Sequence, residues 1–163
     1  MTEEYLYEEE ESANEELKRV DHLIYVSLKY TRTVDVMRSI IERLVNALDL
    51  LISTLLDDMK EKGSVSDDEE IPAAPALKVE MVNKLFSSDE KIKEMTNFYS
   101  DLRKIIRAKY EKSGEFRKNV TMTAKLEEGI KEIKMDDLKE YYEKVKDYVH
   151  YVNDIIRGKK EDA

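Results

Sequence analysis

The stretch Val34-Asp-Val-Met37-Arg-Ser-Ile40-Ile41-Glu-Arg-Leu44-Val45-Asn-Ala-Leu48-Asp-Leu-Leu51-Ile52-Ser-Thr-Leu55-Leu56-Asp-Asp-Met59 decides the fold. Val34, Met37, Ile41, Leu44, Leu48, Leu51 and Leu55 step by three and four without a slip, which is a heptad seam. Ile40, Val45, Ile52, Leu56 and Met59 flank it, so the apolar stripe is as broad as that of a bundle helix rather than the narrow seam of a two-stranded coil. Neither Gly nor Pro occurs from Met1 to Lys62, and Gly63 ends the helix.

Carried backwards, the same frame selects Tyr30, Ser27, Leu23 and Val20, and Ser12-Ala-Asn-Glu15 has the form of a capping box. One helix from Ser12 would be about 75 Å long, more than the diameter of a domain of this size. The β-branched cluster Thr31, Thr33 and Val34 is therefore the expected break, with a single long N-terminal helix as the alternative.

Downstream, residues 64–75 combine an acidic run with Pro72 and Pro75 and read as a loop. A short helix after Pro75 would carry Leu77, Met81, Leu85 and Phe86. Ser87-Ser-Asp-Glu90 then offers a capping box for a helix with Ile92, Met95, Tyr99, Leu102 and Ile106 on one stripe, running to Gly114. A weaker segment from Phe116 to Glu128 closes at Gly129, and Ile130 to Met135 alternates briefly as an extended piece would. The last helix, opened by Asp136 or Asp137, carries Leu138, Tyr141, Val145, Tyr148, Val152 and Ile155 and ends at Gly158. The expectation is an all-α, antiparallel helical bundle of four to five main helices, forming one domain over residues 1–163. Its acidic tail spans about residues 1–11. Ile41, Leu44, Leu48, Leu51, Tyr99, Leu102, Ile106, Val145, Tyr148 and Val152 should share one core. Residues 2–11 and 64–74 should be mobile.

The chain has 41% hydrophobic and 40% charged residues, well above the roughly 25% charged of ordinary globular proteins, yet apolar enough to fold. Absence of cysteine excludes disulfides, thiolate metal sites and a Cys nucleophile. Gln and Trp are also missing while Lys and Glu abound, a composition like that of thermophile proteins. The N-terminus has no basic or apolar signal region, and the most apolar run, Ala47 to Leu56, is interrupted by Asp49 and too short to span a bilayer. A cytoplasmic protein without membrane contact is expected.

Only His22 and His150 could supply imidazole chemistry. Glu143, Asp147, His150 and Asp154 would form one stripe of metal-ligand types on the last helix, but two residues of offset from the apolar stripe is about 200° of rotation, so a solvated charged face is the reading. Acidic pairs such as Glu140 and Glu143, or Glu127 and Glu128, resemble those that bind Mg²⁺ in helical pyrophosphatases, yet 37 acidic residues produce such pairs by chance. No catalytic, cofactor or metal site is assigned. Charge is unevenly spread: residues 3–16 hold eight glutamates and no base, whereas residues 101–120 hold Arg103, Lys104, Arg107, Lys109, Lys112, Arg117 and Lys118 against three acids. That segment could meet phosphates, with Tyr110 and Phe116 stacking on single-stranded bases. Alternatively the acidic N-terminal segment covers it, and the net charge of −9 repels nucleic acid at long range.

A helical bundle with a basic, polar stretch between its third and fourth helices resembles the HEPN superfamily, helical domains of toxin–antitoxin systems, RNA-processing enzymes and nucleotidyltransferase partners. The resemblance covers about residues 20–157 and rests on Asp101-Leu-Arg-Lys-Ile-Ile-Arg-Ala-Lys-Tyr110 and Glu115-Phe-Arg-Lys-Asn-Val120. Catalytic members carry an Arg followed after four to six residues by a His. Beyond Arg107 the corresponding positions are Lys112, Ser113 and Gly114, and beyond Arg117 they are Met122, Thr123 and Ala124, so the resemblance implies a non-catalytic relative. Two functions follow: a non-enzymatic interaction module, a homodimer or partner of another protein through exposed parts of its heptad stripes, or an RNA-binding, catalytically degenerate HEPN-like protein using residues 103–118.

Overall fold

The computed structural model describes residues 3–158, with side chains from Ala13 onward. Helix α1 (Glu3–His22), a π-helical turn (Leu23–Leu28) and the three-residue α2 (Lys29–Thr31) make one rod that reverses into α3 (Val34–Glu61). The reversal falls at the β-branched cluster: Arg32 takes a left-handed backbone at φ 49°, and the Thr33 hydroxyl accepts from the Val36 amide at 3.3 Å as the cap of α3. A short α4 (Pro75–Leu85), with Pro75 in its first turn, and α5 (Glu90–Arg107) follow, and α6 (Met135–Arg157) closes the chain.

Cross-contacts fix the directions. The Tyr99 hydroxyl donates to Asp49 at 2.9 Å and Arg38 Nη2 to the Ile106 carbonyl at 3.2 Å, so α5 runs antiparallel to α3. Lys62 Nζ reaches the Ile156 carbonyl at 3.1 Å, which joins the ends of α3 and α6 and makes them parallel. Asp21 meets Tyr142 while Asn14 and Asn153 line the same groove, so α1 opposes α6. The four long helices thus alternate in direction, as in an up-and-down bundle. All seven seam residues of α3 and all six of the α6 stripe are buried.

The chain is mostly helical but not all-α. Between α5 and α6 lies a three-stranded antiparallel sheet in the order β1 (Lys109–Ser113), β2 (Thr121–Leu126), β3 (Gly129–Lys134). The helix expected to run to Gly114 ends at Arg107, because Ala108 turns extended. Met122, Ala124 and Ile133 face the bundle and are buried, while Lys109, Lys125 and Ile130 line up in register on the outer face. The sheet caps the end of the bundle where α1 reverses into α3.

Several finer expectations shift. Helix α1 passes through Ser12, whose side chain, like the acidic ones before it, lies outside the described residues; Met1 and Thr2 lie outside them altogether. The backward frame holds at Val20, which is buried, but slips by one residue after it: Ile24 and Leu28 are buried where it selects Leu23 and Ser27, both half-buried, and Tyr30 is 79% exposed. The left-handed reversal resets the rotation between the helices and the π turn widens the rod by about one residue per turn, so phase does not carry from α3 into the π turn. On α5 the core position is Ile105, with Ile106 half-buried. On α4 it is Val82, and Leu77 is exposed. Asp89 caps α5 by accepting from the Ile92 amide at 3.0 Å, so Ser87 is not the cap. Helix α6 is capped at Lys134, and Asp137 accepts from the Lys134 amide at 2.8 Å from inside the first turn.

Candidate nucleic-acid interface

The seven basic residues fall on three elements. Arg103, Lys104 and Arg107 occupy the last turns of α5, Lys109 and Lys112 sit on β1, and Arg117 and Lys118 lie in the loop joining β1 to β2. They are not gathered at one point: β1 separates the Lys104–Arg107 group, near the β2–β3 turn, from Arg117 and Lys118 by about 17 Å of extended chain.

Some of these cations are already engaged. Lys112 bridges Asp35 at 3.0 Å and Glu115 at 3.9 Å, and the hydrogen bond to Asp35 raises its pKa above the ordinary lysine value. Lys104 pairs with Glu128 at 3.8 Å, and the Arg103 guanidinium lies 5.8 Å from the Tyr99 ring. Among the described residues Arg107, Lys109, Arg117 and Lys118 have no ion-pair partner, so four positive charges face solvent.

The two aromatics divide. Tyr110 is half-buried beneath Arg38, whose guanidinium is 4.3 Å from the ring centroid, so its face is taken and it does not offer a stacking platform. Phe116 does. It is 73% exposed and holds a left-handed φ of 69°, rare and strained for a bulky side chain. The loop is pinned on both sides of it: the Phe116 amide donates to the Arg32 carbonyl at 2.8 Å, and the Glu115 carboxylate accepts from the Val34 amide at 3.1 Å, adding a second cap to α3. Gly114, at φ 64°, starts this turn, and a Cβ there would meet the Asn119 carbonyl oxygen at 2.8 Å. The result is an exposed ring on a rigid loop, beside Arg117 and Lys118 and bonded to the reversal that follows Tyr30.

The acidic segment does not share this end. Helix α1 begins at Glu3 and runs toward the reversal, so its first turns lie about 40 Å from the sheet. The acidic loop at Asp67 to Glu70 joins Asp57 and Glu61 at the same far end. These two acidic segments lie away from the sheet, although Asp35, Glu111, Glu115 and Glu128 stand among the basic residues there.

Sequence reasoning missed several neighbours. Beside α5, the β2–β3 turn and α6 frame a cleft of about 450 Å³ whose lining includes Lys104, Lys131, Lys144, Phe98 and Tyr141. Lysines scattered over 40 residues give no local signal; only the hairpin and the antiparallel return of α6 bring them together. The stripe containing His150 is solvated as expected: the His150 side chain is exposed, 3.6 Å from Asp154, while Glu143 pairs with Lys146 at 3.0 Å and Asp147 with Lys91. Among the described residues no group of three ligand-type side chains is placed to hold a metal ion, and no helix is long and apolar enough to cross a membrane. The chain matches no protein-family model, no curated protein and no solved structure.

Proposed function

We propose that this chain is a non-catalytic RNA-binding protein that meets single-stranded RNA with the loop after β1. The observation that carries the reading is Phe116, held out of the fold on a strained, doubly pinned backbone and followed by two unpaired cations. Stacking on an aromatic face tolerates any base, and neighbouring lysines and arginines neutralise the flanking phosphates. Nearby carboxylates pair with Lys104, Lys112 and Lys125, which leaves the cations beside Phe116 unmatched at this surface although the chain carries a net charge of −9. The up-and-down bundle with a basic insertion between its last two long helices supports the HEPN-like reading, as a relative without the Arg–His pair.

Anisotropy titration of a fluorescent single-stranded RNA against salt tests this. Phe116→Ala should weaken binding about fivefold or more, and the double variant Arg117→Ala, Lys118→Ala should flatten the slope of log K against log salt by about 1.4. Binding that is undetectable at low salt, or unaffected by these substitutions, would overturn it.

A second reading, self-association, has a narrower basis than the heptad stripes suggested, since those stripes are consumed inside the bundle. Val26 and Tyr30, one turn apart and exposed, support it instead. A dimeric mass in light scattering that becomes monomeric on Tyr30→Glu would favour this reading over the first.

A further inference from the structure

The cleft between α5, the β2–β3 turn and α6 is chemically separate from the Phe116 loop, and its volume of about 450 Å³ falls within the range of small-ligand sites. Its composition is mixed in a particular way. Phe98 and Ile130 supply apolar surface, and Ile130 is 72% exposed although it sits mid-hairpin beside the cleft. Phe98 is held edge-on to Tyr141 with ring centroids 5.4 Å apart, so its orientation is fixed before anything binds. Lys131 has no ion-pair partner among the described residues, and Lys144 Nζ stands 5.2 Å from the Phe98 centroid. Asp101 lines the cleft near Tyr141 and presents a carboxylate, while Glu128, the other carboxylate of the lining, is paired with Lys104 at 3.8 Å.

Tyr141 differs from the other buried or half-buried tyrosines of α5 and α6. Tyr99, Tyr142, Tyr148 and Tyr151 each donate to a carboxylate, at 2.9, 3.3, 2.5 and 2.7 Å. Tyr141 is 9% exposed and lines the cleft, and among the described residues its hydroxyl has no hydrogen-bond partner. A phenol open to a cleft and bonded to no side chain is a donor that a ligand can use.

We infer that this cleft binds a nucleoside monophosphate: Lys144, exposed and not tied down as Arg38 is over Tyr110, leaves the Phe98 ring to hold the phosphate with Lys131, the base takes its place against Phe98 and Ile130, Asp101 accepts from a base or ribose donor, and Tyr141 donates to a base or ribose acceptor. A free phosphate would use the lysines alone and leave the ring surface, Asp101 and Tyr141 without a role. An apolar ligand would leave two cations unmatched. A nucleotide satisfies all of them. The carboxylate of Asp101 repels phosphate, which orients the ligand with its anionic end toward the lysines.

The test is a titration of the full-length chain with adenosine and guanosine 5′-monophosphates, followed by amide and methyl chemical shifts, with adenosine and inorganic phosphate as controls. Saturable shifts confined to the Phe98, Asp101, Ile130 and Lys131 neighbourhoods are expected with a monophosphate, and weaker binding with either control. Tyr141→Phe, which keeps the ring and its packing, should weaken binding about tenfold, as should the exposed charge reversal Lys131→Glu. The double variant Arg117→Ala, Lys118→Ala should leave nucleotide affinity unchanged, which separates this site from the RNA surface. Absence of saturable shifts, shifts centred on Arg117 and Lys118, or equal affinity for inorganic phosphate would each overturn the assignment.

Discussion

At the scale of single residues, one carboxylate ties the loop after β1 to the start of α3. Glu115 accepts the Val34 amide, one of four N–H groups that the start of α3 leaves without an intrahelical partner, and sits 3.9 Å from Lys112, which in turn holds Asp35. Glu115→Ala should therefore destabilise the fold by about 0.5–2 kcal/mol in urea unfolding, with Glu115→Gln recovering part of it because the amide oxygen still accepts. Gly114→Ala combines a left-handed backbone with a Cβ only 2.8 Å from a carbonyl oxygen, and should cost more than about 1 kcal/mol in the same measurement. Neither role is legible in the sequence. Glu115 and Val34 are 81 positions apart, and a cap supplied from so far has no local pattern, whereas Asp89 three residues before Ile92 has one.

Elements were legible in proportion to how much of their surface they bury. The stripes of α3 and α6 are long and uninterrupted because those helices are packed along their length, and their residues lie in the core as expected. The strand β1 buries little, reading Lys-Tyr-Glu-Lys-Ser with one half-buried side chain, so neither period is visible in it. On α5 the stripe slipped at its end, choosing Ile106 over Ile105. Ile105→Ala should cost about 2–5 kcal/mol and Ile106→Ala distinctly less, since Ile105 is 2% exposed and Ile106 keeps part of its surface in water. The tyrosines that tie α6 to its neighbours give a pH prediction. Burial first, then the hydrogen bond and charge of Asp89, raises Tyr151 to about 12; burial first, then Asp21, raises Tyr142 to about 12. The folded state holds these protons after the unfolded chain has released its own near pH 10, so this stability is fully present below about pH 10. It is lost as pH rises from there through about 12. Urea midpoints measured across that window should fall steadily, and Tyr151→Phe should shrink the fall.

For the whole molecule, the same topology that sets the acidic N-terminal segment apart from the sheet also decides what chemistry the histidines can reach. Acidic and basic segments were visible in the sequence, but their placement at opposite ends follows from the up-and-down course of α1 and the sheet inserted after α5, which no local reading supplies. That course sets His150 on α6 in the groove facing α1, whereas Arg107 lies at the end of α5 beside the β2–β3 turn. His22, the only other imidazole, is exposed at the end of α1. An Arg and a His acting together on one phosphodiester must come within hydrogen-bond reach of the same few atoms, and within this chain Arg107 and His150 line different grooves. Of the lysines near the loop, Lys112 is drawn away from that role, since its hydrogen bond to Asp35 raises its pKa, opposite to the direction a general base near neutrality requires. Purified protein should therefore bind single-stranded RNA without cutting it. Cleavage should stay at the level of a blank, unchanged by Arg107→Ala or His150→Ala. Metal-independent cleavage that disappears in Arg107→Ala would show that a second copy or another residue completes a site this chain does not build alone, and would replace the binding-only reading with a catalytic one.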